Sequence, residues 1–304
     1  MPVLTSSRPF GALLTAMVTP MSDDGAVDLD AAVRLARHLV EQGNDGLVLS
    51  GTTGEAPTTH APEKADLVAA VVEAVGDRAV VLSGAGSNDT AHAVRMAEQA
   101  AAAGAHGLLV VSPYYSRPSQ RGLAQHIEAV ADATDLPVMV YDIPARAGVR
   151  IAAPTYERLA AHPRIVAVKD ATGDPYSGGK ALAATGLAWY SGDDSALLQF
   201  LAMGGVGLVS VAAHVVAPAF ALTLRRWDAG DHAGALAAFR SAIPAIEALN
   251  GAGQQAPTAK AALELLGVLP NRSTRLPITP LDDDEVAALR AALVRAGVLG
   301  AATA

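Results

Sequence analysis

Eight short stretches of this 304-residue chain are almost continuously apolar and are rich in valine, leucine and isoleucine. They are ALLTAMV from 12, GLVLS from 46, AVVLS from 79, GLLVV from 107, PVMVY from 137, IVAVK from 165, LAWYS from 187 and VGLVSV from 206. A strand that is exposed on one face alternates apolar and polar residues, whereas a strand buried on both faces of a parallel sheet does not. The pattern therefore predicts eight buried, parallel strands.

Segments with helical periodicity separate these eight runs. After the first run, apolar residues recur at Leu29, Val33, Ala36 and Val40, which is the spacing of one helix face. Helices are predicted over residues 28–43, 62–75, 88–104, 121–133, 154–161, 177–184, 194–203 and 216–228. Eight strand-then-helix units are the number that closes a (β/α)₈ barrel, and a doubly wound open sheet is the weaker interpretation.

The pattern changes after residue 229, where only helices are predicted, near residues 231–249, 257–267 and 282–296. We therefore expect an α/β protein in which residues 1–229 form the (β/α)₈ barrel domain. Residues 230–304 are expected to form a C-terminal α-helical appendage. The sequence contains no repeat, low-complexity tract or linker that would make this appendage independent of the barrel.

Composition excludes several kinds of partner. The net charge is −8 and no run of Lys or Arg occurs, so binding to nucleic acid is not expected. The chain has no cysteine, which excludes disulfides and thiolate metal sites and fits a reducing compartment. The apolar run of residues 12–18 is too short to span a membrane and lacks the flanks of a signal peptide. A cytoplasmic location, without membrane contact, is expected.

Metal and nucleotide motifs are weak. The eight histidines form no HExxH or HxH pair, and no metal site is expected. One of them, His214, lies just past the eighth apolar run, and the sequence gives no role for it. Gly84 and Gly86 follow a predicted strand, but Asp89 stands where a dinucleotide fingerprint requires a third small residue.

Lys169 ends the sixth apolar run and is the most informative single residue. A barrel carries its chemistry at the carboxyl ends of its strands. The conservative interpretation is a structural ion pair with Asp170, but adjacent strand residues point in opposite directions, so this pair is poorly placed. The alternative is that burial lowers the pKa of the amine and leaves a neutral nucleophile, which forms a Schiff base with a carbonyl compound.

Other polar residues are expected at the same end of the barrel. They include the turn of residues 51–55, the Tyr114-Tyr115 pair, Tyr141, Arg146 and residues 191–194. Tyr141 is a candidate proton shuttle, which hydroxyls of Thr53 and Tyr115 would connect in a relay. Backbone N–H groups at Thr52 and Thr53 suit a carboxylate. Taken singly, each of these residues is more often part of an ordinary turn or a packed tyrosine than a functional residue.

Six motifs, in this order and spacing, resemble the dihydrodipicolinate synthase family of the pyruvate-dependent class I aldolase superfamily. They are GTTGEAPT, SPYYSRPSQRGL, VYDIPARAG, VAVKDATG, YSGDD and GGVGLVSV, and the resemblance extends to RLPITPL at 275–281. It implies a barrel with a C-terminal helical domain, assembled as a homotetramer of tight dimers. It also implies condensation of pyruvate with aspartate semialdehyde, at the entry to diaminopimelate and lysine synthesis, with no metal or organic cofactor.

The resemblance assigns roles by position. Lys169 matches the Schiff-base lysine and Tyr141 the phenol that relays protons. Thr53 matches the hydroxyl between two tyrosines, and Tyr115 the tyrosine that reaches into the neighbouring subunit's site. The remaining matches are the pyruvate carboxylate site (Thr52 and Thr53), the residue that holds the semialdehyde carboxylate (Arg146), and two backbone positions lining the pocket (Gly192 and Val209). Two departures are Asp142 and Asp170, where asparagine and glutamate are commoner.

Two rival functions stay open. A sugar-acid lyase of the same superfamily, such as N-acetylneuraminate or keto-deoxygluconate aldolase, shares the lysine, the tyrosine and the glycine-threonine turn. Arg146 argues against it, because lyases of polyhydroxylated chains need no cation there. A non-catalytic barrel that binds a keto acid as a regulator is the rival from another class. It is expected to have lost Lys169 or one of the relay hydroxyls, and this chain retains them.

The resemblance also predicts how the chain responds to lysine. In feedback-inhibited members, lysine binds in a cleft at the dimer interface, and Asn88 and Tyr114 match that cleft. His92 stands where sensitive members carry a glutamate, and a histidine supplies no anion for an ammonium group. Ala56, Ala61 and Lys64 also replace a hydroxyl or imidazoles there. We therefore predict insensitivity to lysine, with the alternative that Asp89 makes the ammonium contact.

Overall fold

A closed barrel of eight parallel strands forms the centre of the molecule in the computed structural model, which describes residues 7–251 and 254–300. Each strand pairs with its sequence neighbours, and the eighth pairs with the first. The strands are β1 (Leu13–Ala16), β2 (Gly46–Leu49), β3 (Val80–Gly84), β4 (Gly107–Val111), β5 (Val138–Asp142), β6 (Ile165–Asp170), β7 (Ala188–Ser191) and β8 (Gly207–Ser210). The predicted fold class and all eight strand positions are confirmed.

Helices cover the outside of the barrel and continue beyond it. They are α1 (Leu29–Glu41), α2 (Ala61–Val75), α3 (Thr90–Ala102), α4 (Gln120–Asp132), α5 (Pro144–Ala147), α6 (Ala153–Ala160), α7 (Pro175–Thr185), α8 (Leu197–Ala202), α9 (Ala213–Asp228), α10 (His232–Asn250), α11 (Gln255–Leu265) and α12 (Asp283–Arg295). The short helix α5 was not predicted from the sequence. It begins with Pro144, which is preset for a first helical turn, and it ends at Gly148 in the left-handed region.

Side chains alternate between two layers of core. Even where a strand is apolar throughout, successive residues point to opposite faces of the sheet. One cluster fills the barrel interior and includes Leu14, Val48, Leu109 and Tyr141. The other lies between the strands and the helices and includes Leu47, Val168 and Trp189. Burial on both faces explains why the strands read as continuous apolar runs.

The helices after the barrel pack against it rather than standing apart. Helix α10 lies along α9, and α11 and α12 contact α10. The predicted boundary near residue 229 coincides with the end of α9. Residues 1–6, 252–253 and 301–304 of the two predicted domains lie outside the described residues. Across the described ranges, no helix is long and apolar enough to cross a membrane.

Candidate active site

Lys169 and Tyr141 lie side by side at the carboxyl end of the barrel. They are register partners on β6 and β5, so both side chains point into the barrel interior. The Nζ atom of Lys169 lies 4.3 Å from the centre of the Tyr141 ring. The side chain of the next residue, Asp170, turns outward, where it accepts hydrogen bonds from Trp189 Nε1 (3.0 Å) and the Thr172 amide (2.9 Å). The expectation that Asp170 does not pair with Lys169 is confirmed.

The Lys169 amine is buried in surroundings that favour its neutral form. Only 5% of the residue is exposed. Burial lowers the pKa of Lys169 to about 8, the Asp194 carboxylate opposes this shift, and the Arg146 guanidinium adds to it. With a pKa of that size about a tenth of the amine is neutral at pH 7, compared with far less for an exposed lysine. Lys169 is therefore suited to attack a carbonyl carbon.

The Tyr141 phenol remains a proton donor at neutral pH. Burial raises the pKa of Tyr141 to about 12, while a side-chain hydrogen bond with Thr52 and the charge of Arg146 act in the opposite direction. A protonated phenol held beside an amine by a second hydroxyl can pass protons in either direction. The arrangement is suited to moving a proton between the phenol and the Lys169 amine.

The two threonines of the turn differ in their surroundings. Thr53 was predicted to be the connecting hydroxyl, whereas Thr52 is the threonine whose side chain acts on the Tyr141 phenol and lowers its pKa. Thr53 is buried, and of the two threonines only Thr52 lines the cleft above Tyr141. The two residues are adjacent in a turn, so their side chains leave the backbone in different directions. The turn therefore presents Thr52, rather than Thr53, to the phenol.

The two predicted backbone positions behave differently. Gly192 lies against Lys169: a Cβ atom at this position would be 3.0 Å from the lysine Cγ and 3.0 Å from the Asp170 carbonyl oxygen. A residue with a Cβ atom would require the lysine side chain and this carbonyl to shift by a few tenths of an ångström. Val209 is fully buried on β8, and its side chain belongs to the interior cluster that also contains Tyr141. It supports the site from within the core.

A cleft of about 570 Å³ opens above Tyr141 and extends past the turn after β2 towards α2 and α3. The residues of the cleft that can carry a positive charge are Arg146, Lys64, His60 and His92. Among the described residues, no aspartate or glutamate lines the cleft. Arg146 is exposed on α5 and, among the described residues, forms no ion pair. The cleft is therefore suited to anionic substrates.

Tyr115 protrudes from the rim of this cleft. Its side chain is 89% exposed and its backbone has φ = 72°, in the left-handed region that few tyrosines occupy. Within one subunit the ring covers little of its own site. A large aromatic ring held out in a strained conformation is typical of a contact with another chain.

Asp194 is a site residue whose role sequence reasoning missed, although the stretch containing it was noted. Its buried carboxylate accepts hydrogen bonds from Ser210 Oγ, the Ala212 amide (3.0 Å) and Asn250 Nδ2 (2.9 Å). Burial raises the pKa of Asp194, and these donors oppose the shift. The carboxylate joins the ends of β7 and β8 to α10 and is the anion that acts on Lys169.

His214 has a structural role. Its Nε2 accepts a hydrogen bond from the Val18 amide (3.1 Å), so its Nδ1 carries the proton and donates to the Val211 carbonyl (2.8 Å). Burial lowers the pKa of His214 to about 4, which keeps the ring neutral. The imidazole joins the loop after β8 to the end of β1. Among residues 7–251 and 254–300, no group of three His, Cys, Asp or Glu is placed to hold a metal ion.

Asp142 lies directly behind Tyr141, on the outer face of the barrel wall. Its Oδ2 accepts hydrogen bonds from the Tyr156 hydroxyl (2.8 Å) and the Ile151 amide (3.2 Å), whereas its buried Oδ1 has no hydrogen-bond partner. Its register partner on β6 is Asp170, a second buried carboxyl group. Burial is the main cause that raises the pKa of Asp142 to about 6, and the charge of Asp170 adds to it.

We expect Asp142→Asn to stabilise the protein above pH 6. A carboxyl group with a raised folded-state pKa contributes stability that is complete below its unfolded pKa of 3.8 and is lost as the pH rises through 6. At roughly 1.4 kcal/mol per pKa unit, ionised Asp142 costs about 3 kcal/mol at pH 8. Asparagine keeps an oxygen for Ile151 and Tyr156 without this cost. Urea unfolding between pH 4 and pH 8 should show a gain that shrinks towards pH 4.

The matched control is Asp77→Asn, because the Asp77 side chain is 82% exposed. This variant should unfold like the parent at every pH. A stability gain in Asp142→Asn that does not change with pH would contradict the ionisation argument, as would a loss of stability at pH 8.

The chain is similar to known proteins over nearly its whole length. A family model for the dihydrodipicolinate synthetase family matches residues 9–296. The 4-hydroxy-tetrahydrodipicolinate synthase of Kineococcus radiotolerans is 53% identical over 301 residues, which cover 98% of each chain. The 4-hydroxy-tetrahydrodipicolinate synthase 2 of Streptomyces coelicolor is 52% identical over 297 residues, covering 98% of this chain and 99% of the relative.

Solved structures show the same architecture. The enzyme from Cyanidioschyzon merolae, solved with lysine bound, superposes with a TM-score of 0.91 at 39% identity, covering 95% of this chain and 99% of that one. The chloride-inhibited enzyme from Acinetobacter baumannii, solved in complex with pyruvate, gives a TM-score of 0.90 at 34% identity with the same coverage. Both are dihydrodipicolinate synthases.

Proposed function

The chain belongs to the dihydrodipicolinate synthetase family, and we infer from this membership and from its site that it catalyses the 4-hydroxy-tetrahydrodipicolinate synthase reaction. This reaction is a class I aldolase-type condensation of pyruvate with L-aspartate 4-semialdehyde, in the pathway to diaminopimelate and lysine. The observation that carries the inference is the buried amine of Lys169, held 4.3 Å from the ring of Tyr141.

In the proposed mechanism, the neutral Lys169 amine attacks the ketone carbon of pyruvate, and loss of water gives a protonated imine. Loss of a methyl proton then gives an enamine, whose carbon attacks the aldehyde carbon of the semialdehyde. Attack of the semialdehyde's amino group on the imine carbon closes the ring and releases Lys169. Tyr141 moves the protons, with Thr52 as its hydroxyl partner. No metal or organic cofactor takes part in this scheme.

We propose that Tyr115 completes the relay of a neighbouring subunit. The exposed ring and the strained backbone of Tyr115 support this role, because one subunit leaves the ring without a covering surface. The protein is then a homotetramer of tight dimers in which each active site depends on two chains. Sedimentation of the enzyme at micromolar concentration tests the assembly directly.

Pyruvate supplied with two different aldehydes tests the proposed activity. The purified enzyme should consume pyruvate with L-aspartate 4-semialdehyde and should not do so with N-acetylmannosamine. The reverse preference would identify a sugar-acid lyase. Binding of pyruvate without turnover of either pair would identify a keto-acid-binding regulator.

We expect Arg146→Ala to weaken the use of aspartate semialdehyde selectively. Arg146 is the cation on the rim of the cleft nearest to Tyr141, and charge-assisted hydrogen bonds to a carboxylate contribute roughly 1.5–3 kcal/mol. The apparent KM for the semialdehyde should rise about tenfold or more, while the KM for pyruvate and borohydride trapping of pyruvate are retained. Initial rates measured against each substrate separate these effects.

A nearby arginine provides the control. Arg150 follows α5 but forms an ion pair with Asp174 (3.2 Å), outside the cleft. Arg150→Ala should leave both KM values near those of the parent. An equal loss for both substrates in Arg146→Ala would show that the cleft itself had been damaged, and would contradict selective recognition.

We also expect the enzyme to be insensitive to lysine. Ala56, Ala61, Lys64 and His92 all line the cleft, where they offer no carboxylate to an ammonium group. Lys64 lies 3.8 Å from the Met96 sulfur and adds a like charge to the cleft. Loss of even one charge-assisted partner weakens binding by about tenfold or more.

Asp89, the predicted alternative partner for the lysine ammonium group, lies outside the cleft. The Asp89 carboxylate caps α3 by accepting a hydrogen bond from the Ala91 amide (3.0 Å), and Asp89 does not line the cleft. Initial rates at saturating pyruvate should therefore be unchanged by lysine up to about 1 mM. Half-inhibition at a lower concentration would contradict this prediction. The conversion His92→Glu should move the enzyme towards sensitivity.

A further inference from the structure

Glu55 holds an unusual conformation at the end of the turn that carries Thr52. Its backbone has φ = 55°, in the left-handed region, although it is not a glycine. The turn is closed by hydrogen bonds from the Glu55 amide to the Thr52 carbonyl (3.1 Å) and from the Ala56 amide to the Gly51 carbonyl (3.2 Å). A residue in this region costs free energy, so surrounding contacts have to hold it there.

Those contacts come from the C-terminal helices. The Glu55 side chain is fully buried, and its Oε1 accepts a hydrogen bond from the Nζ atom of Lys260 on α11. Its Oε2 accepts a second from the Arg275 amide (3.0 Å). Lys260, itself 1% exposed, also donates to the Ser273 carbonyl (2.6 Å). A carboxylate of the turn is thus bound through both oxygens by a segment more than 200 residues away.

The segment after the turn is bound in the same way. The Arg275 guanidinium donates to the carbonyl oxygens of Gly25 (2.7 Å) and Thr58 (2.8 Å) and to the Glu63 carboxylate (2.8 Å). The C-terminal segment therefore forms hydrogen bonds with the chain both before and after Glu55. The other ion pair of α11 between described residues, Glu264 with Arg272 (2.8 Å), stays within the C-terminal segment.

A buried ion pair does not stabilise a fold simply by being charged. The cost of removing two charges from water offsets much of their attraction, and an apolar pair of similar size often serves as well. Loss of one partner is different, because it leaves a buried charge uncompensated. The consequence of losing one partner should therefore be largest at the segment that the pair contacts, which is the strained turn beside Tyr141.

We propose that Lys260 and Glu55 form a positioning pair through which the C-terminal helices hold Thr52 and the backbone N–H groups of its turn in place beside Tyr141. The effect of the pair on the conformation of the turn does not depend on which reaction the protein catalyses. The expected effect on pyruvate binding rests on the proposed function. Neither residue lines the cleft or reaches the reacting atoms, so both act through the turn.

The first test does not depend on catalysis. In Lys260→Met, amide hydrogen exchange measured by mass spectrometry should accelerate about tenfold in peptides that cover residues 51–56. Peptides that cover β4 should exchange as in the parent, which separates a local effect from general destabilisation. Lys180→Met is the matched control, because Lys180 is an exposed lysine on α7. Unchanged exchange in residues 51–56 of Lys260→Met would overturn the proposal.

The second test separates positioning from stability. The double variant Glu55→Gln, Lys260→Met removes both charges, so its melting temperature should return towards that of the parent. Its KM for pyruvate should nevertheless stay raised, about tenfold or more, because the turn is no longer held. Recovery of both the melting temperature and the pyruvate KM would show that the pair contributes only to stability. This result would contradict the positioning role and would leave the proposed reaction unaffected.

Discussion

Lys169→Met is expected to abolish covalent capture of pyruvate and to lower kcat by about 10³-fold or more. The chain has four lysines, at positions 64, 169, 180 and 260, so the assignment can be tested against every alternative. Incubation of the parent enzyme with pyruvate and borohydride should add the reduced pyruvyl mass to the peptide that contains Lys169. The methionine variant should gain no mass, although it should fold, since methionine fills a buried site without an amine to desolvate.

Lys169 and Lys260 are both buried, and their partners distinguish them. Burial lowers the pKa of Lys260 as well, but the Glu55 carboxylate in direct contact with its Nζ opposes this shift and favours the ammonium form. Lys169 has no ion-pair partner within the described part of the chain, and burial lowers its pKa to about 8. Its neutral fraction rises with pH through that value, so the rate of trapping by pyruvate should rise between pH 6 and pH 9 and then level off. Labelling of Lys64, Lys180 or Lys260 would contradict the assignment.

The barrel was predictable from the sequence because a strand that is buried on both faces is a short continuous run of apolar residues, and such a run can be recognised locally. Each strand is a short continuous run of aliphatic residues, and the helices between them have apolar positions at helical spacing. Position along a strand then determines where a side chain points. Lys169 and Tyr141 therefore lie together inside the barrel, and Asp170 points away from them.

Features that depend on turns or on distant contacts were not predictable in the same way. The sequence did not show that Thr52, rather than Thr53, meets Tyr141, because the regular alternation of a strand stops where the turn begins. The pair of Glu55 and Lys260 joins residues from opposite ends of the chain, and each residue alone reads as a surface charge. The raised pKa of Asp142 likewise results from burial and from Asp170 on the neighbouring strand.

Tyr141→Phe is expected to lower kcat by about 10²- to 10⁴-fold, the range that a positioned general acid or base contributes. The substitution keeps the ring that lies over Lys169 and removes only the hydroxyl bonded to Thr52. Pyruvate binding should change little, because the ring and the turn remain in place. Proton transfers in the formation of imine and enamine should become slow. Stopped-flow measurement of imine formation, together with steady-state kcat and pyruvate KM, separates these effects.

Tyr190→Phe is the matched control, because it removes a phenol from the same barrel interior. Tyr190 is a register partner of Lys169, but its hydroxyl donates to the Gly11 carbonyl (3.0 Å), on the side of β1 that lies away from the cleft. This variant should lose some stability and keep its kcat, since a buried carbonyl loses a donor far from the amine. If Tyr141→Phe keeps the kcat of the parent, or if both variants lose kcat equally, the phenol of Tyr141 is not the proton shuttle. A slow imine step in Tyr141→Phe alone places proton transfer on the hydroxyl that Thr52 holds beside Lys169.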